Sequence, residues 1–429
     1  MTTILQASEQ IGAGQLCPTR LVAECLERIS QLDDRLHAWE FVDGVGAMRA
    51  AEQLARELPE QGPRSRLHGI PIGVKDIVDV AGLPTRAGSP LRQDHVATED
   101  AAVVKALRKA GAVILGKTVT TQFACFDPPA TRNPYDMSRT PGGSSSGSAV
   151  AVASQMCLGA IGTQTGGSIV RPAAYCGVVG FKPTFGRWDM SGIVPVSRQL
   201  DHVGPMTRCV EDLWAFFTAC EASEARSSSS SDSGDEQKLP RFAVLGGHFR
   251  NAADHRMLEV IDAAVNHWVT KGVEVQFLEL PVCFDEVLMM HRRIMAFDVA
   301  QYHRAQFADA RQQYAPKITQ LIEEGLRIPT RDYDAALRHR AELISVIVEQ
   351  FSRGPSIWMM PATPGPAPDH ATTGDPSFNS PWSYLGCPAL CIPSGAVDRL
   401  PVSLQLVAAP DCDEQLLRAG IAVSMRPPR

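Results

Sequence analysis

The chain has 429 residues and a formal net charge of −6. That length can bury a substantial core, as one large α/β domain or two ordinary ones, and dispersed Lys and Arg leave no electrostatic footprint for a nucleic acid. Eleven cysteines scattered singly fit a reducing compartment better than a disulfide framework. With no run of ~20 apolar residues and no basic-then-apolar leader, the expectation is a cytoplasmic protein without a membrane span.

In chain order, a helix is predicted from Cys17-Pro18-Thr19, with proline in its first turn, to Leu32. Leu21, Val22, Cys25, Leu26, Ile29 and Leu32 recur on one face. A second helix covers Ala47 to Glu57, so that residues 1–60 read as helical cover. Ile70, Ile72 and Val74 then alternate with Pro71, Gly73 and Lys75, a period of two that predicts a strand. In isolation Lys75 reads as an exposed edge-strand lysine. Its place at the end of an apolar strand, before loops carrying Gly82, Pro84 and Gly88, is where sites gather.

A helix over Ala101 to Ala110, a strand at Val113 to Leu115 and a turn at Gly116-Lys117-Thr118 continue an α/β alternation. The irregular stretch Asp127 to Pro141 is long enough to suggest function. Next, two Gly-Gly-Ser sequences bracket a predicted helix: Thr140-Pro-Gly-Gly-Ser144-Ser-Ser-Gly-Ser148 and Thr163-Gln-Thr-Gly166-Gly167-Ser168-Ile-Val-Arg171. Glycines permit close backbone approach, and a helix start offers unpaired N–H groups. Residues 67–210 read as the catalytic segment. A separate polar run within 223–240 reads as a serine-rich linker.

Residues 241–429 are expected to complete the sheet and the substrate pocket. A strand at Arg241 to Gly247, a helix at Asp254 to Lys271 and a strand at Val273 to Leu278 open this part. Helices follow at 284–307 and 331–351, and strands at 357–360, 389–392 and 402–407. Cys387 and Cys391 enclose Pro-Ala-Leu without a second pair or nearby His, which favours a buried strand over a metal site. No metal or other cofactor is expected.

Ser144, Ser168 and Lys75 are the candidate groups for nucleophilic chemistry, since a serine hydroxyl needs a base within reach. His202, the most tempting histidine, reads as structural. These residues carry a resemblance: Gly69-Ile-Pro-Ile-Gly-Val-Lys75-Asp, the two Gly-Gly-Ser segments, Phe181-Lys-Pro-Thr, Leu200-Asp-His-Val-Gly-Pro-Met and Gly386-Cys-Pro-Ala-Leu-Cys resemble, in order and spacing, the amidase signature family. The resemblance implies a single α/β domain over residues 1–429, with a central mixed, twisted sheet covered by helices on both faces. It also implies a triad in which Lys75 is the base, Ser144 a relay on a cis peptide bond and Ser168 the nucleophile. Backbone N–H groups of Thr165, Gly166, Gly167 and Ser168 would form the oxyanion hole, and Ser145 would support Lys75 or the cis turn.

The implied reaction is hydrolysis of the C–N bond of a small carboxylic amide through an acyl-enzyme. Two alternatives are a carbamate or ester hydrolase on the same triad and the amidase subunit of a tRNA-dependent amidotransferase. Many family members carry Asp where this chain has Gln164 and Arg where it has Val170. Arg171 stands one residue later, and either binds a substrate carboxylate or braces local backbone. Arg171, Gln164, Phe123, Cys125 and Tyr135 are the expected substrate contacts. The partner expected is a small-molecule amide, with neither nucleic acid nor membrane, and a homodimer is the oligomer entertained.

Overall fold

The apolar runs assemble into one mixed sheet of eleven strands: β1 (Trp39–Val42), β2 (Pro71–Lys75), β3 (Val113–Thr118), β4 (Gly159–Gln164), β5 (Val179–Lys182), β6 (His202–Thr207), β7 (Phe242–Leu245), β8 (Val275–Leu278), β9 (Ile357–Pro361), β10 (Ala389–Val397) and β11 (Leu400–Ala408). Their spatial order is β1-β3-β2-β4-β6-β5-β10-β11-β9-β7-β8. This computed structural model describes residues 2–221 and 240–424. The linker expected over 223–240 therefore lies outside the described residues, apart from Pro240. Among the described residues, no helix is long and apolar enough to cross a membrane.

β2 is internal, hydrogen-bonded in parallel to β3 on one side and β4 on the other. Internal parallel strands are covered on both faces, and every residue of β2, β3 and β4 is buried. The period of two in β2 thus comes from tight packing rather than from a wet face. At Gly73 a Cβ would lie 2.8 Å from the Thr118 side chain and 3.1 Å from the Trp39 ring. Lys75 is consequently not an edge lysine but a fully buried one.

Two local expectations change. β3 runs on through Gly116, Lys117 and Thr118, which the sequence suggested as a turn. The apolar run after Ser144 divides into a helix, Ser146–Ala153, and then β4. Gln155 takes a left-handed φ of 58° in the link between them. Glycine lets this helix lie against its surroundings: a Cβ on Gly147 would stand 2.2 Å from the Ala38 carbonyl oxygen. The first helix predicted, Pro18–Leu36, begins with its proline as expected and extends a turn beyond Leu32, ending where His37 turns left-handed.

Lys117 extends from β3 to a fully buried ion pair with Asp76, 3.2 Å apart. It also donates to the Pro84 carbonyl and to Thr85 Oγ1, each at 2.9 Å. Burial pushes the Asp76 carboxyl up to about 6 despite the lysine beside it. The pair ties β3 to the residue that follows Lys75. Removing one partner of such a pair leaves an uncompensated buried charge, so Lys117→Met should cost about 3–5 kcal/mol of stability. Urea denaturation checks this, and a loss under about 1 kcal/mol, typical of a surface pair, would contradict it.

Candidate active site

Three chain segments meet at the end of β2. The side chain of Lys75 leaves that strand, and its Nζ lies 2.7 Å from Ser144 Oγ and 2.8 Å from Thr163 Oγ1. Ser144 precedes the helix Ser146–Ala153 and follows a cis peptide bond from Gly143. Gly142 supplies the positive φ of 81° that turns the chain toward it, a conformation glycine adopts without steric cost. Thr163 lies on β4 and so brings the second Gly-Gly-Ser turn alongside the first. Ser145 joins the two by exchanging hydrogen bonds with the Thr163 backbone, both at 3.2 Å.

The turn after β4 carries Thr165, Gly166, Gly167 and Ser168, which with Ser144 line a cavity of about 290 Å³. Each carbonyl along this turn is engaged from outside. His202 Nδ1 donates to Gln164 O at 3.2 Å, and His291 Nε2 donates to Thr165 O at 2.9 Å. Ser383 Oγ donates to Gly166 O at 3.0 Å, and the Arg171 amide donates to Gly167 O at 2.8 Å. A trans peptide is planar, with N–H and C=O pointing opposite ways. Fixing these four carbonyls therefore fixes the direction of the next N–H groups, those of Thr165 through Ser168.

Burial sets the charges. It pulls the Lys75 amine down from its usual 10.5 to about 7, against the opposing pull of Asp201. It drives His291 down to about 4, which leaves the ring neutral and able to donate to the Thr165 carbonyl while its other nitrogen stays unprotonated. Cys125, also at the cavity wall, is pushed up to about 12.

Arg171 lines the same cavity and is almost wholly buried. Its Nη2 donates to Gly143 O at 2.7 Å and reaches Thr373 Oγ1 at 3.5 Å. Its Nε and Nη1 have no hydrogen-bond partner among the described residues. Three other expected contacts do not line the cavity. Gln164 accepts from the Ile169 and Val170 amides at 2.9 and 3.0 Å, and its Nε2 donates to Ser383. Phe123 packs against His303 and Tyr314. Tyr135 is half-exposed, with its hydroxyl beside Gly177.

Sequence reasoning misses His291, Ser383 and Thr373, which reach the cavity region from segments far along the chain and carry no local motif. Asp201 stands inside the Leu200-to-Met206 motif beside the more conspicuous His202, and Thr163 opens the second Gly-Gly-Ser segment. Neither residue type nor spacing signals what these two do.

A lysine whose folded pKa is depressed holds fewer protons than the unfolded chain between the two values. The contribution of Lys75 to stability must then rise with pH from about 7 to 10.5, because the unfolded state holds more protons on it across that window. Lys75→Met abolishes this contribution. Urea denaturation of both proteins at intervals across the window should show wild type gaining on the variant as pH rises. A constant difference would contradict the buried, depressed amine.

The Amidase family model matches residues 20–417 of the chain. The chain is 31% identical to a glutamyl-tRNA(Gln) amidotransferase subunit of Akkermansia muciniphila, covering 98% of each protein. Among solved structures, one described as an amidase is 31% identical with a TM-score of 0.89, covering 98% of this chain and 99% of that one. The native peptide amidase of Stenotrophomonas maltophilia is 29% identical with a TM-score of 0.84, covering 100% and 98%. With a sheet of this order, the two Gly-Gly-Ser turns and a match along nearly its whole length, the chain belongs to the amidase signature family and is an amide-hydrolysing enzyme.

Proposed function

We propose that the chain hydrolyses the C–N bond of a small amide that bears a carboxylate, through an acyl-enzyme on Ser168. The observation that carries this reading is the buried Lys75 amine 2.7 Å from Oγ of Ser144, a residue that lines one cavity together with Ser168. Neutral Lys75 takes a proton from Ser144, Ser144 takes one from Ser168, and Ser168 Oγ attacks the carbonyl carbon. The oxyanion that forms is stabilised by the N–H groups of Thr165 to Ser168, donors aimed in advance at developing charge. Ser144 then returns a proton to the leaving nitrogen as the C–N bond breaks. Water enters, loses its proton along the same relay and releases the acid. An amine working near pH 7 suits this relay, because a base is most effective when its pKa lies near the operating pH.

Arg171 supports the substrate class. A guanidinium left with unfilled donors in a desolvated wall is costly, and a carboxylate matches its planar fork in bidentate fashion. On this reading Arg171 braces the Gly143 carbonyl with one nitrogen and offers others to the ligand. Carbamates and esters fit the same triad, since only the leaving group differs.

A second reading, the amidase subunit of a tRNA-dependent amidotransferase, is supported by the relative matched end to end at 31% identity. Its chemistry at this site would be the same reaction on the side-chain amide of glutamine, itself a carboxylate-bearing amide. Thr121 to Asp127 and Gln164 depart from that subunit's usual pattern.

The two readings separate in one assay series. Purified protein is tested with glutamine and with half-amides of short dicarboxylic acids, alone and after co-expression with candidate partner subunits. Turnover of half-amides by the chain alone supports the free-standing hydrolase, whereas glutamine turnover that appears only with partners supports the amidotransferase role. Arg171→Met should raise KM at least tenfold for carboxylate-bearing amides, about the 1.5–3 kcal/mol of a hydrogen bond to a charged group, and much less for neutral ones. Equal effects on both would overturn the carboxylate role.

A further inference from the structure

Asp201 is buried just ahead of β6, and its carboxylate is held on both oxygens. Thr165 Oγ1 donates to Oδ1 at 2.5 Å. The Val196 and Ser197 amides donate to Oδ2 at 2.8 and 3.0 Å. Thr165 is the first residue of the turn that lines the cavity, and its carbonyl is already clamped by His291. Its side chain and main chain are thus anchored independently, one on Asp201 and one on the helix Val287–Ala310 that carries His291. On the far side, Ser197 Oγ donates to Asp298 of that same helix at 2.5 Å.

The groups facing Lys75 are few. Ser144 and Thr163 are neutral hydroxyls, and the ionisable neighbours that act on it are Asp201 and Cys125. Burial keeps the Cys125 thiol protonated up to about 12. Asp201, pushed up to about 6 by burial and by Asp298 against its three hydrogen bonds, carries its charge at neutral pH and above.

We propose that Asp201 is a positioning residue of this site, acting through Thr165, whose side chain it anchors at the start of the turn that carries Ser168. Asp201 holds Thr165 by its side chain while His291 holds it by its carbonyl.

This inference rests on Ser168 being the nucleophile, and a substrate-independent probe tests both. An alkyl fluorophosphonate phosphonylates an activated serine with loss of fluoride, so its labelling is followed from pH 5 to 10, with the modified peptide mapped by mass spectrometry. Wild type should be labelled at Ser168, with an acid limb set by Lys75. In Asp201→Asn the limiting rate should fall about tenfold or more through the loosened turn, with the half-saturating probe concentration unchanged. A limiting rate that stays at the wild-type value in Asp201→Asn, or one that falls only together with weaker probe binding, overturns the proposal and leaves Asp201 a merely structural residue. If Asp201→Asn does not fold, Thr165→Val carries the test: a limiting rate lowered about tenfold supports the anchor, and a wild-type rate overturns it. Failure of wild type to label at Ser168 overturns the catalytic reading instead, and is told apart by the mapped peptide.

Discussion

Holding a lysine amine away from water is unfavourable, and the geometry of this site follows from how the fold does so. β2 is enclosed by β3 and β4, so the side chain at its end leaves the strand into protein rather than into solvent. The hydrogen-bonding atoms offered to Lys75 are hydroxyls, on Ser144 and Thr163. A hydroxyl accepts a hydrogen bond from an amine without supplying the full charge that would keep it protonated. The neighbouring strand shows the other solution. Lys117, equally buried, has the Asp76 carboxylate at 3.2 Å. Two buried lysines on adjacent strands thus differ in their partners, one among neutral hydroxyls and one locked in an ion pair.

The second Gly-Gly-Ser turn is built on the same principle of partners fixed in advance. Its carbonyls are spoken for by His202, His291, Ser383 and the Arg171 amide. Gln164, where an acidic residue is common in the family, instead uses its side-chain carbonyl to accept from the Ile169 and Val170 amides just beyond Ser168. That is a neutral means of holding the turn that follows the serine. Nearby, two guanidinium nitrogens of Arg171 have no hydrogen-bond partner among the described residues.

Much of this is legible in the sequence. The strand ending at Lys75 and the two Gly-Gly-Ser turns stand out because glycine and serine at fixed spacing are poor core formers, so their presence within apolar runs calls for a reason. Long amphipathic patterns place the helices to within a turn or so at each end. β4 reads as a continuation of the preceding helix because Gly159, Ala160 and Ile161 have no period of their own when buried on both faces. The anchors His291 and Ser383 are invisible for a different reason: each is one polar residue with no motif around it, and only tertiary packing shows which carbonyl it faces. Closeness in sequence draws Phe123 and Tyr135 toward the cavity, whereas packing against His303 and exposure to solvent direct them elsewhere.

The most direct measurement looks for the proposed acyl-enzyme. The protein is mixed with p-nitrophenyl acetate, quenched in acid within the first turnover and digested, and the acetylated peptide is sequenced by mass spectrometry. The expected result is an acetyl group on Ser168 in wild type, lost in Lys75→Met at pH 7 although that protein remains folded. Acetylation of Ser144, or undiminished acetylation of Ser168 without Lys75, would contradict a relay that begins at the buried amine.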